Sequence, residues 1–152
     1  MLTTTFKLLR KNDACRHRYA VLRKALKGRR DNEPIGIVEV LDHNGLDDAL
    51  WALRAVPPGQ RADRDRLARL FACQCVRQVW NLLDDSSRAT VEVAERYAFG
   101  EATLDDMAAA NAAADANAAY AYADAASAAD AYAADDAAAR DAQAAKFREM
   151  FG

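Results

Sequence analysis

Glycine and proline are scarce, 6 and 3 in 152 residues. A sandwich or barrel of many tight turns draws heavily on both, so such folds fit poorly. Histidine is scarcer still: His17 and His43 cannot build a His-rich metal site. Cys15, Cys73 and Cys75 are an odd number and do not read as a disulfide framework. They are expected to be free thiols in a reducing compartment. The longest apolar tract is alanine broken by Asp or Asn every few residues, a composition that cannot cross hydrocarbon. Residues 1–6 lack the basic start and apolar run of a secretory signal. No threonine follows Thr103, which removes the repeated threonine face of an ice-binding helix. These absences lead to the expectation of a cytoplasmic chain with no cofactor, no metal and no membrane partner.

Alanine is what the chain has instead. It accounts for 37 residues, 25 of them between Ala102 and Ala145. Alanine buries little area, so a core must come from Leu, Val, Phe, Tyr and Trp elsewhere. Charge is divided along the chain. Residues 1–100 carry 18 Lys and Arg against 13 Asp and Glu, and residues 101–152 carry 3 against 10. In the first thirty residues, ten basic side chains face one acid, Asp13. The plainer explanation is that basic front and acidic back balance within one molecule. The sharper one is two surfaces for partners, with field effects on association rate.

One all-α domain is expected over residues 1–152, a small helical bundle with a long Ala-rich C-terminal helix. It divides into a basic region (1–34), core helices (35–100) and an acidic Ala-rich helix (101–152). Tyr19, Leu22 and Leu26 mark a helix over 12–27, with Asn12 or Asp13 as cap and Gly28 as stop. Residues 35–41 read either as strand or helix. The β-branched content favours a strand, but nothing else in the chain reads as its partner, so a short helix is preferred. Asn44 with Asp47 resembles a capping box opening a helix near Leu46, which Pro57-Pro58-Gly59 stops. Asp63 or Asp65 opens the most apolar helix, reaching Leu83. Asp84–Ser87 caps another to Phe99, and Gly100 suits its end. Thr103 with Asp106 opens the last helix, which meets no Gly or Pro up to Phe151 and would extend about 45 residues, roughly 65–70 Å. Trp51, Phe71 and Trp80 are the expected centre of the core.

Motifs of chemistry are weak. Cys73 and Cys75 project about 200° apart on a helix and cannot easily hold one ion, so they read as small buried hydrophobes. His43 lies among Asp42, Asn44, Asp47 and Asp48, but no nucleophile accompanies it, and a capping turn explains the cluster. The Asp-x-Asn-Gly piece lacks the remaining ligands of a calcium loop. Two charged sets are the candidate partner-binding residues: acidic Asp115, Asp124, Asp130, Asp135, Asp136 and Asp141, and basic Arg16, Arg23, Lys24, Lys27, Arg29 and Arg30. The basic set could touch phosphates, although no aromatic platform is interleaved with it. Alanine permits close helix approach, so the Ala-rich helix suits packing within the chain or against a second copy.

Three segments carry a resemblance. They are Val40-Leu41-Asp42-His43-Asn44-Gly45-Leu46-Asp47-Asp48-Ala49-Leu50-Trp51-Ala52-Leu53-Arg54, then Arg69-Leu70-Phe71-Ala72-Cys73-Gln74-Cys75-Val76-Arg77, then Val91-Glu92-Val93-Ala94-Glu95-Arg96-Tyr97-Ala98-Phe99-Gly100-Glu101-Ala102-Thr103. With the Ala/Asp/Tyr-rich tail, they resemble the Imm5-like immunity proteins, small helical proteins of bacteriophages and bacteria. The likeness covers roughly residues 36–150 and leaves out the basic residues 1–34. It implies a non-enzymatic inhibitor that binds and neutralises a protein target, a toxin or host defence protein. In a phage setting that target could be a CRISPR effector, with the acidic helix mimicking nucleic acid. It supplies no catalytic residues. The alternative expectation is a nucleic-acid-associated protein using the basic N-terminal helix.

Overall fold

The structure, a computed structural model, describes residues 1–117 and 137–152, with the side chains of residues 114–117 left aside. The protein is all-α with one two-residue strand pair among the described residues. The chain forms two compact units: Met1–Asp65 with Ala144–Gly152, and Arg66–Gln143.

The first unit starts with β1 (Thr3–Thr4), which pairs antiparallel with β2 (Ile35–Gly36), Thr3 opposite Gly36 and Thr4 opposite Ile35. This corrects the reading that residues 35–41 lack a strand partner. Two threonines are too short a signal to see, and β2 passes at once into α3 (Ile37–Asn44). The bridge is fixed from outside: Thr4 Oγ1 donates to Ala55 O (2.7 Å), and Thr3 N donates to Gln60 Oε1 (2.8 Å). Thr5 Oγ1 accepts from Leu8 N (3.1 Å) and opens α1 (Phe6–Lys11). Here Asn12 is the C-cap and Asp13 takes a positive φ of 60°. They end one helix rather than cap the next, so α2 runs only over Arg16–Ala25, with Cys15 as its N-cap. Helix α4 (Leu46–Ala52) follows α3 across Gly45, whose φ of +87° needs a residue without Cβ strain. Gly45, not Asn44, is the cap residue. A 3₁₀ turn, Leu53–Ala55, precedes the Pro57-Pro58 corner.

The core of this unit is Phe6, Leu22, Ile35, Ile37 and Val40, together with Phe147 and Phe151, all nearly or fully buried. The two C-terminal rings stack at 4.2 Å. They come from α8 (Ala137–Phe151), whose final turns belong to this unit, where Arg148 pairs with Asp42.

The second unit holds most of α5 (Arg61–Arg77), a 3₁₀ turn at Trp80–Leu82, α6 (Asp85–Ala98), α7 (Leu104–Asn117) and the start of α8. Asp84 Oδ1 accepts from Ser87 N (2.7 Å) to cap α6. Thr103 and Asp106 cap α7 reciprocally: Thr103 N donates to Asp106 Oδ2 (2.7 Å), and Asp106 N donates to Thr103 Oγ1 (3.1 Å). Gly100 (φ +78°) follows α6 as expected. Helices α6 and α7 pack through Thr90, whose hydroxyl lies 3.0 Å from Ser86 O and 3.3 Å from Ala110 O. Arg77 grips Glu95 with two 2.6 Å bonds. Phe71, Val79, Leu83 and Val91 are buried here.

Trp51 and Trp80 are only half-buried, which corrects their place at the core's centre. Helix α5 ends at Arg77, so Trp80 falls on a turn where Arg77 lies over its ring (4.4 Å). The single helix expected from Glu101 to Phe151 passes through residues 118–136, which lie outside the described residues.

Candidate protein-docking cleft and basic face

The first unit encloses a cleft of about 230 Å³ among α1, α2, α3 and α4. Leu9, Leu22, Val40 and Ala52 contribute its apolar floor, and Tyr19 and Trp51 line it while only half-buried. The fold places these residues by simple rules. Tyr19 and Leu22 are three apart on α2, and Val40 and Asn44 are four apart on α3, so each pair shares a face. The polar rim is Cys15, Arg18, Asn44, Asp47 and Asp48.

Asn44, Asp48 and Arg18 of that rim engage one another. Asn44 Nδ2 donates to Arg18 O (2.9 Å) and to Asp48 Oδ2 (2.8 Å). Both partners are acceptors, which sets the amide orientation and leaves Asn44 Oδ1 buried without a donor. Asp48 has a second, looser partner in Arg18, at 3.8 Å. Cys15 is exposed at the start of α2, and the backbone N–H of Arg18, then that of His17, holds its thiol below the ordinary thiol range.

The basic set is divided by the fold. Arg23 lies over the Phe6 ring (4.3 Å) and pairs with Asp31 at 2.6 Å. Arg29 binds Glu39 and donates to Pro34 O, so Glu39 holds its guanidinium pKa above the usual value. Arg30 has a loose contact with Glu33 (3.8 Å). Arg16, Lys24 and Lys27 are exposed and make no ion pair with a described residue. Arg16, Ala20 and Lys24 recur four apart, so α2 carries a basic face beside the apolar one it turns inward. Half of the basic set is therefore neutralised locally by Asp31, Glu33 and Glu39, acids in the following loop and on α3.

Of the acidic set, Asp141 is exposed on α8. Asp115 lies in α7, its side chain undescribed, and Asp124, Asp130, Asp135 and Asp136 fall outside the described residues. His43 is exposed in the last turn of α3. Cys73 is buried, and desolvation pushes its thiol up to about 11. Among the described residues no group of three His, Cys, Asp or Glu is placed to hold a metal. No helix of the described residues is long and apolar enough to cross a membrane.

The cleft escaped reading from sequence because its lining is spread over α1 to α4. One local signal was present. A cysteine directly precedes a helix whose apolar Tyr19–Leu22 stripe opposes a basic stripe.

No protein-family model, curated protein or solved structure matches the chain.

Proposed function

We propose that this chain is a non-enzymatic binding protein that neutralises a protein target, in the manner of the immunity proteins its sequence resembles. The observation that carries the reading is the face of α2. Arg16 and Lys24 on α2 and Lys27 just past its end are exposed and make no ion pair with a described residue, on a helix whose other face lines the apolar cleft, while neighbouring arginines are held by Asp31 and Glu39. Exposed cations on a helix whose opposite face lines an apolar opening suit a protein surface, where apolar burial supplies affinity and charge supplies association rate and orientation. In a phage setting the target is a bacterial defence component such as a CRISPR effector. The acidic stretch ending near Asp141 is then a second contact for a basic surface, and a second copy of the chain is the competing occupant of its alanine face.

Nucleic acid is the second reading, favoured by the same free cations. It makes no use of the apolar cleft. Pull-down from host lysate with mass spectrometry, run beside a salt titration of DNA and RNA binding, separates the two. Stoichiometric capture of one protein with no salt-dependent nucleic-acid shift is the expected result. Nucleic-acid binding that weakens steeply with salt, without protein capture, overturns the first reading. Charge reversal at Asp130 and Asp135 is expected to slow capture of the same protein.

A further inference from the structure

We propose that the α1–α4 cleft is a binding site for a small uncharged aromatic molecule of one ring or two fused rings. The site goes beyond the protein-binding reading and does not depend on it. Each of the four helices contributes to a buried aliphatic floor of Leu9, Leu22, Val40 and Ala52. A concave apolar site between helices, with few polar groups at its edge, is the usual setting for a small ligand. The volume, about 230 Å³, sets the size of the guest. An apolar cavity of about 150 Å³ takes benzene, so this one has room for a second ring and not for a drug-sized molecule. Tyr19 and Trp51, half-buried along the sides, offer aromatic surface to a flat guest. The Tyr19 wall is fixed in advance, since the buried Phe6 ring meets it in an edge-to-face contact at 5.5 Å.

The guest's lack of charge follows from the rim, whose charged residues are Arg18, Asp47 and Asp48. Arg18 lies 3.8 Å from Asp48, and Asp48 also accepts from Asn44 Nδ2, so these groups answer one another. Asp47 is exposed, where water screens any ion pair a guest could make. The floor holds no charge, so an ion entering it would lose hydration without gaining a partner. The same contacts disfavour a peptide. Asn44 Nδ2 also donates to Arg18 O, so α2, α3 and α4 are tied together at the mouth and, apart from the buried Asn44 Oδ1, this cluster is satisfied internally. A chain laid across it would bring backbone N–H and C=O groups that find few partners. A small aromatic molecule carries no such groups.

The test is calorimetric titration of the full chain with indole and three derivatives: tryptophol, which is uncharged, tryptamine, which is a cation, and indole-3-acetate, which is an anion. Indole and tryptophol are expected to bind saturably at one site, and both ions about tenfold more weakly than tryptophol or worse. Saturating indole should also raise the melting temperature, since it binds the folded chain. Ala14→Leu, at a half-buried lining position, is expected to weaken indole binding at least about tenfold while retaining the parent's circular dichroism and melting temperature. Should that variant not fold, labelling of the parent at Cys15, an exposed lining residue, with N-ethylmaleimide gives the same block, checked by mass spectrometry. No saturable indole binding, an ion that binds as well as tryptophol, or indole binding unchanged by the block overturns the site. A protein captured from lysate by a chain that does not bind indole leaves the protein-binding reading standing and removes only the aromatic site. Indole binding with no protein captured does the reverse.

Discussion

Phe147→Ala puts the assembly of the first unit under test. The ring is 0% exposed and lies 4.2 Å from the Phe151 ring at 13° between planes. Apart from Phe147, Phe151, Met150 and Gln143 the helix is Ala and charged residues, so the two Phe rings are the main apolar groups by which α8 holds that unit's last segment. Removing a buried Phe loses about 1.5–3 kcal/mol of transfer free energy. The cavity left behind raises the total to about 3–5 kcal/mol. Against a stability of about 5–15 kcal/mol for a whole domain, this is a large share. For a unit this small, each kcal/mol moves the melting temperature by about 4–8 °C, so a fall of more than about 10 °C is expected. Arg148→Ala is the matched control. It removes an ion pair to Asp42 whose side chains are about half exposed, and pairs of that kind contribute about 0–1 kcal/mol. Urea melts followed by Trp51 emission in the Trp80→Phe background read this unit directly. If Phe147→Ala unfolds within about 1 kcal/mol of the parent, or Arg148→Ala costs as much, apolar docking of α8 is the wrong account.

Thiol reactivity should be ordered: Cys15 alkylates first near neutral pH, and Cys73, with its thiol near 11, reacts only as the chain unfolds, as timed labelling with mass spectrometry would show. Gly45→Ala should cost about 1–3 kcal/mol because its backbone (φ 87°, ψ 176°) lies where glycine alone is at ease, and not because of crowding, so Gly45→Asn should cost about as much in the same melts. Asp84 is held below its usual pKa, first by the Ser87 N–H, and Asp106 by the Thr103 N–H. Depressed folded values mean that this stabilisation is present above the unfolded carboxylate pKa and is lost as pH falls through the folded ones. In Asp84→Asn, which caps without titrating, the loss of stability as pH falls below the ordinary carboxylate range should be shallower than in the parent; coincident acid profiles would remove the cap from the account. Trp80→Ala should destabilise less than Phe147→Ala, since its ring is half-exposed on a turn.

The helical class was legible because its signals are local. Thr103 with Asp106, Asp84 before α6 and Gly100 after it each act within one turn of their own helix, and each is found where spacing placed it. Helix α1 was not, because six residues, Phe6–Lys11, show less than two turns of periodicity. The β1–β2 bridge joins residues more than thirty positions apart through two residues on each side. Core membership was misjudged for a different reason. Size and apolarity favoured Trp51 and Trp80, but an amphipathic ring is buried only if tertiary packing encloses it. Phe147 and Phe151 gave the opposite signal, since a stretch of alanine and charge hides two aromatics that carry much of a core. At the basic face, composition counted cations but could not know that Asp31 and Glu39 would take Arg23 and Arg29, since both pairings depend on how the loop after α2 folds back.

The first unit is discontinuous in sequence. Residues 66–143 stand between its two pieces, yet Phe147 and Phe151 complete the core begun by Phe6, Ile35 and Ile37. During synthesis the N-terminal piece must therefore wait, its apolar face open, until the ribosome has made the whole inserted unit. Contacts spanning that much chain are slow to form. For that interval Leu22, Ile35 and Val40 are available to chaperones, and a nascent chain stalled before residue 147 presents them to proteases. Closure of the first core therefore waits on residues 147 and 151, so the α2 face reaches its mature packing only after the whole intervening segment has been made.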